Sequence, residues 1–74
     1  MRLRFQKISA GWEAAHPSNE GVIYTIFEPE LTGIGHTLVK YVFDGGGMKY
    51  DVIAKGEALK QCMTLANRDA GVDI

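Results

Sequence analysis

The chain has very little cysteine. Cys62 stands alone among 74 residues, so no disulfide can form within the chain. Because small secreted domains usually depend on several disulfides, the sequence favours a reducing compartment. It also lacks an apolar run long enough to cross a bilayer, and no apolar stretch follows the charged N-terminus as in a signal peptide. We therefore expect a cytoplasmic protein with no membrane contact.

A basic excess is absent as well. Eight lysines and arginines stand against nine aspartates and glutamates, a net charge of −1, whereas a general nucleic-acid-binding protein is expected to be basic. The charges are nevertheless segregated. Residues 1–12 hold three basic and no acidic side chains, and residues 13–44 hold five acidic side chains and one basic. Such polarity fits a protein partner of complementary charge better than it fits nucleic acid.

Reactive side chains are few, and their spacing does not suit metal binding or catalysis. His16, His36 and Cys62 lack the close spacing of zinc ligands, and Cys62 lies on the apolar stripe of a predicted helix, where a thiol acts as a small hydrophobe. Glu28 and Glu30 flank a proline on a predicted loop that solvent reaches easily, whereas paired carboxylates that act as general acid and base need burial. Neither glycine cluster has the spacing of a phosphate-binding loop. We predict no catalytic residue, no metal and no cofactor.

The length of the chain sets the size of its core. Seventy-four residues form one domain, residues 1–74. A chain of this length buries only about 60% of its unfolded surface, so its net stability is modest. Self-association that covers more apolar surface would add to that stability, which makes a homodimer one expected arrangement.

Alternation and β-branched residues predict an antiparallel sheet of three strands. Residues 2–8 alternate between polar and apolar and form the first predicted strand, which a bulge at Gly11 would prolong. Residues 22–27, almost entirely β-branched or aromatic, form the second strand, and residues 36–43 form the third. Residues 48–54 are predicted to be extended and to pair as a short fourth strand at the sheet edge.

The apolar period changes to that of a helix near Glu57. Glu57 falls in the first predicted turn and Arg68 in the last, which suits the helix dipole, and Gly71 marks the end. Residues at i, i+3, i+4 and i+7 form the apolar stripe: Leu59, Cys62, Met63 and Ala66. We therefore predict an α+β fold, a three-stranded antiparallel meander with one C-terminal helix packed across one face.

The predicted middle strands carry more apolar side chains than one covered face requires. Ile23 and Phe27 fall on one face of the second strand, whereas Tyr24 and Ile26 fall on the other. Three candidates could cover the second face: the 48–54 segment, a second copy of the chain, or a partner protein. The side chains predicted to contact a protein partner are aromatic anchors and nearby acids: Trp12, Tyr24, Glu28, Glu30, Tyr41 and Asp44.

Several short segments resemble small phage and prophage proteins that consist of three strands and a final helix. The likeness is carried, in chain order, by Phe5, Trp12-Glu13-Ala14, Tyr24-Thr25-Ile26, Tyr41 and Gly56-Glu57-Ala58-Leu59-Lys60. It implies a small accessory protein that binds and blocks a host protein, and anti-CRISPR proteins are one such group. Similar layouts also occur in the DNA-binding arms of some tyrosine recombinases, which carry more basic residues on the sheet than this chain does.

The leading hypothesis is a non-enzymatic protein-binding module of phage or mobile-element origin that modulates a host protein. The alternative is a small nucleic-acid-binding module that contacts the phosphate backbone through Arg2, Arg4 and Lys7. Salt separates the two hypotheses, because only the alternative requires affinity that falls steeply with added salt.

Overall fold

The structure, a computed structural model, describes residues 2–29, 33 and 35–72. Its described part is α+β, as predicted, with five antiparallel strands in chain order along one sheet. The predicted three strands and short fourth were therefore too few. The elements are β1 (Gln6–Ile8), β2 (Gly11–Ala15), β3 (Val22–Phe27), β4 (His36–Asp44), β5 (Gly47–Glu57) and the helix α1 (Leu59–Ala70).

The N-terminal region is a hairpin and not one bulged strand, so that prediction was wrong. The chain reverses at residues 9–10, and Ile8 pairs with Gly11. Gly11 permits this because its backbone passes β3 so closely that a Cβ would lie 1.9 Å from the carbonyl oxygen of Ile26. β1 is short because residues 2–5 leave the sheet, and the Leu3 N–H donates to Asn67 Oδ1 on α1 at 2.7 Å.

The C-terminal hairpin is longer than the sequence predicts. Gly45, at φ 52°, and Gly46 form the turn between β4 and β5, so the triple glycine reverses the chain as a hairpin turn. β5 then runs for 11 residues, with register shifts that let it follow β4 as far as the pair His36–Glu57. Glu57 therefore ends a strand and does not lie in the first helical turn, where the sequence placed it. α1 begins at Leu59 without a side-chain cap.

α1 packs its apolar stripe on the sheet, as predicted. Cys62 and Ala66 are fully buried, and Leu59 and Met63 pack at the margin of the same core. Gly71 ends the helix in the left-handed conformation, with its N–H bonded to the Arg68 carbonyl. The buried core joins α1 to the N-terminal segment and β2–β4: Leu3, Ala14, Val22, Tyr24, Ile26, Leu38, Cys62 and Ala66.

Strand alternation divides the side chains of the sheet between two faces. Residues in register such as Ala14, Tyr24 and Lys40 lie on the face that α1 covers, named the helix side. Their chain neighbours lie on the opposite face, which is named the open face. The two faces have different surroundings, because α1 packs on the helix side.

Candidate protein-binding surface

The open face carries a contiguous group of exposed apolar side chains at the β4–β5 hairpin. The register pairs Tyr41 with Tyr50, Phe43 with Met48 and Val39 with Val52, so all six share this face. The exposed fraction is 48% for Phe43, 50% for Met48, 68% for Tyr50 and 41% for Val52. Together with the half-buried Tyr41, these residues are named the apolar patch: Tyr41, Phe43, Met48, Tyr50 and Val52.

The patch has an aromatic centre. The rings of Tyr41 and Tyr50 lie 6.5 Å apart between centroids and are tilted by 46°, a favourable arrangement for a cross-strand aromatic pair. Elsewhere on the open face, Thr25, Thr37 and Val39 are buried. Exposure is thus concentrated at the hairpin, where a partner could cover tyrosine, phenylalanine and methionine together. These are residue types that protein interfaces favour.

The open face has few charged side chains in the described strands. Glu13 on β2 is three strands away from β5, and Lys55, which follows Ala54 of the helix side, lies on this face of β5 by alternation, beyond the patch. Lys49 and Asp51 alternate with the patch residues and therefore point to the helix side. A partner on the patch would consequently meet an apolar surface with no ionic group among its side chains.

Tyr24, predicted to contact a partner, is instead a core residue. It is completely buried on the helix side, and its hydroxyl donates to Asp69 Oδ2 on α1 at 2.6 Å. Burial, the hydrogen bond and the negative charge of Asp69 all raise the pKa of Tyr24, burial contributing most. The sequence prediction was wrong here because β3 presents apolar residues on both faces, and periodicity does not tell which face the helix covers.

Asp69 is the centre of a polar link between sheet and helix. The Lys40 Nζ atom lies 2.9 Å from Asp69 Oδ2. Burial opposes ionisation of Asp69, but hydrogen bonds from Tyr24 and Lys40 and the positive charge of Lys40 prevail, so its pKa lies below the usual value. The carboxylate lies in the last turn of α1, where the helix dipole disfavours it, and Lys40 offsets that cost. We interpret this link as structural.

Trp12 also lies on the helix side, half-buried against the core. Its ring lies 5.9 Å from that of His36, between centroids, and the Lys7 Nζ lies 4.8 Å from its ring centroid. Trp12 is therefore held between neighbours, on the opposite face from the patch. Of the three aromatic residues predicted to contact a partner, Tyr41 is the one that belongs to the patch.

The acids predicted at the binding site are separated in the structure. Glu28 forms an ion pair with Lys7, so its carboxylate already has a cation. Asp44 is exposed at the end of β4. Glu30 lies outside the described residues. The described acids thus do not form one surface with the patch.

The basic N-terminal residues are divided between two places. Arg2 and Arg4 line a cleft of about 570 Å³ between the N-terminal segment and β2, with Glu13 and His16 among its other lining residues. Lys7 lies away from that cleft, over Trp12 and paired with Glu28. The three side chains proposed to contact nucleic acid therefore do not act from one surface, although Arg2 and Arg4 share one.

No reactive cluster is evident in the described part of the chain. Cys62 is buried, and burial, with the nearby charge of Glu57, raises the pKa of its thiol, the reverse of what a nucleophile needs. The His16 Nδ1 atom accepts the N–H groups of Ser18 and Asn19, each at 3.1 Å, and so holds a turn. Among the same residues, no group of three or more potential metal ligands comes together.

Sequence reasoning missed four patch residues, although the signal was present. Met48, Tyr50 and Val52 alternate with Lys49 and Asp51, which is the period of a strand with two different faces. The 48–54 segment was considered as cover for the second face, but it extends the sheet and adds to the uncovered surface. The alternation also places Phe43 on the same face of the predicted third strand as Val39 and Tyr41, but it does not show that this face is exposed.

Comparison with known proteins gives no relative from which a role could be transferred. The chain matches no family model, no curated protein and no solved structure. Nor does any helix in the described ranges have the length and apolarity needed to cross a membrane. The functional proposal is therefore based on the exposure and composition of the patch.

Proposed function

We propose that this chain is a non-enzymatic protein-binding module and that the apolar patch is its contact surface. The observation that carries the proposal is the exposure of Phe43, Met48, Tyr50 and Val52 side by side on one face. Soluble domains usually place polar side chains on the solvated face of an antiparallel sheet. Contiguous apolar surface in that position is typical of a protein–protein interaction site.

The residue types of the patch are ones that contribute strongly to binding free energy. Aromatic residues carry a large share of the energy in protein interfaces, because they bury much surface and have few rotatable bonds. Tyr50 is the best candidate anchor, being the most exposed of these side chains and already in contact with Tyr41. Tyr41 keeps the role that the sequence predicted for it within this proposal.

The biological setting proposed here comes from the resemblance to phage and prophage proteins. In this setting the chain is a small accessory protein that binds and modulates a host protein in the cytoplasm, for example as an anti-CRISPR-like inhibitor. The described fold has the C-terminal helix of such proteins but five strands in place of three, so the setting rests on the short sequence segments and not on the strand count.

Affinity capture tests the proposal. The tagged chain is immobilised and exposed to a bacterial lysate that also contains an untagged copy, once with nuclease and once without. Retained proteins are identified by mass spectrometry. The patch variant combines Tyr50→Ser and Val52→Ser. Its matched control, Lys49→Ser with Asp51→Ser, changes the same strand on the opposite side.

The two variants give opposite expectations. A specific protein, or the untagged copy, should be retained by the wild type and the control and lost from the patch variant. If retention is equal on all three, or absent from all three, the patch is not a binding surface. Retention that disappears only when nuclease is added would instead favour nucleic-acid binding through Arg2 and Arg4, the pair that lines the cleft.

A further inference from the structure

We infer that the occupant of the apolar patch is a second copy of the same chain, packed against it face to face. This inference rests on the proposed binding function and names the partner for that surface. It follows from three properties of the patch: the absence of charge, its area and the missing layer on the open face.

The absence of charge makes the patch complementary to itself. A two-fold interface brings a surface against its own copy, so any charged group near the axis meets a like charge. The patch side chains are apolar or tyrosine, and Lys49 and Asp51 point to the helix side. Two charges lie on the described part of the open face outside the patch: Glu13 is three strands from β5, and Lys55 lies further along β5 than Val52. A strongly charged partner would find no ionic counterpart on the patch, whereas a second patch matches it.

The area suits a dimer of moderate affinity. The exposed fractions of Phe43, Met48, Tyr50 and Val52 correspond to roughly 400 Å² of accessible surface, much of it apolar, given the sizes of such residues. A standard interface takes about 800 Å² from each partner, of which roughly 60% is apolar, or about 480 Å². The patch alone thus supplies most of the apolar area that one side of such an interface contains.

No strand or helix of the described residues packs over the patch, and a second copy would supply that layer. A sheet with apolar side chains on both faces is normally packed on both, but α1 covers only the helix side, and the molecule is 19 Å thick along its shortest axis. Two open faces packed about 10 Å apart would give four layers, helix–sheet–sheet–helix. The ion pair of Lys7 with Glu28 and the hairpin end at Asp44 would stay accessible to another protein.

Sedimentation equilibrium of the full chain tests this arrangement. The wild type, with a monomer mass of 8.1 kDa, is studied from about 5 to about 500 µM, which covers dissociation constants in the micromolar range. Tyr50→Lys places one positive charge in the patch. Gln61→Lys adds the same charge on an exposed part of α1 and is the matched control. Circular dichroism melting shows that each variant is folded.

The expected result is a reversible dimer for the wild type and the control, with a dissociation constant at least about tenfold higher for Tyr50→Lys, since each 1.4 kcal/mol is a factor of ten. A wild type that stays monomeric overturns the dimer, and so does a dimer that Tyr50→Lys leaves unchanged. These outcomes are separable from the proposed function. If a monomeric wild type still captures a host protein through the patch, the binding module stands and only its partner is reassigned.

Discussion

The helix side and the open face of the sheet carry similar apolar residues but have different cover. On β4, Leu38 and Val42 point toward α1, while Val39, Tyr41 and Phe43 point away from it. Leu38 is fully buried, and Phe43 is about half exposed. The difference thus lies in what the remaining chain places over each face, and hydrophobicity alone does not determine it.

The two faces therefore contribute to different processes, the helix side to folding and the patch to binding. Apolar side chains under α1 lose their water when the chain folds, so their burial stabilises the fold. The same residue types on the patch stay hydrated when the chain folds. Their burial can therefore stabilise a complex with a partner. If the two faces differ in this way, equivalent substitutions on them should have unequal effects on folding.

The largest expected effect comes from truncating one side chain on each face. Leu38→Ala should lower the free energy of unfolding by about 3 kcal/mol, because it leaves a cavity in a closed core. Val52→Ala, made on the half-exposed patch, should cost less than about 1 kcal/mol. Urea denaturation at protein concentrations too low for self-association measures both. Equal losses would show that the open face is also covered in the monomer.

The sequence was sufficient to predict the fold class, but it did not show which face of the sheet the helix covers. The β-branched run of β3 and the apolar period of α1 are local signals, and both predicted elements formed. The hairpin at Gly11 depends on a close approach to the backbone of β3, which is a tertiary contact that local pattern does not contain. Whether Tyr24 or Tyr41 is buried depends on where α1 packs, so the sequence could name the aromatic residues but could not assign them to core or surface.

An intermediate effect is expected from removing one tyrosine hydroxyl on each face. Tyr24→Phe removes one of two donors to the Asp69 carboxylate and leaves only Lys40 beside it. It should cost about 1–2 kcal/mol, because the acceptor is charged and partly buried. Tyr41→Phe on the open face is the matched control and should change the free energy of unfolding by no more than about 0.5 kcal/mol. Urea midpoints at unchanged m-value report both. If Tyr41→Phe lowers the free energy of unfolding and Tyr24→Phe leaves it unchanged, the assignment of Tyr24 to the core and Tyr41 to the surface is wrong.

The smallest expected effect is a pH dependence confined to the helix side. Because the pKa of Asp69 is lower in the folded chain than its usual value, its ionised form stabilises the fold above the unfolded pKa of about 3.9, and this contribution is lost as the pH falls through the folded pKa. Solvent reaches a third of the side chain, so the contribution should be under about 1 kcal/mol. Asp69→Asn should therefore flatten the decline in melting temperature below pH 4. Asp51→Asn, at an exposed residue of β5, should follow the wild type, and identical profiles for all three proteins would show that the link between Asp69 and the sheet does not stabilise the fold.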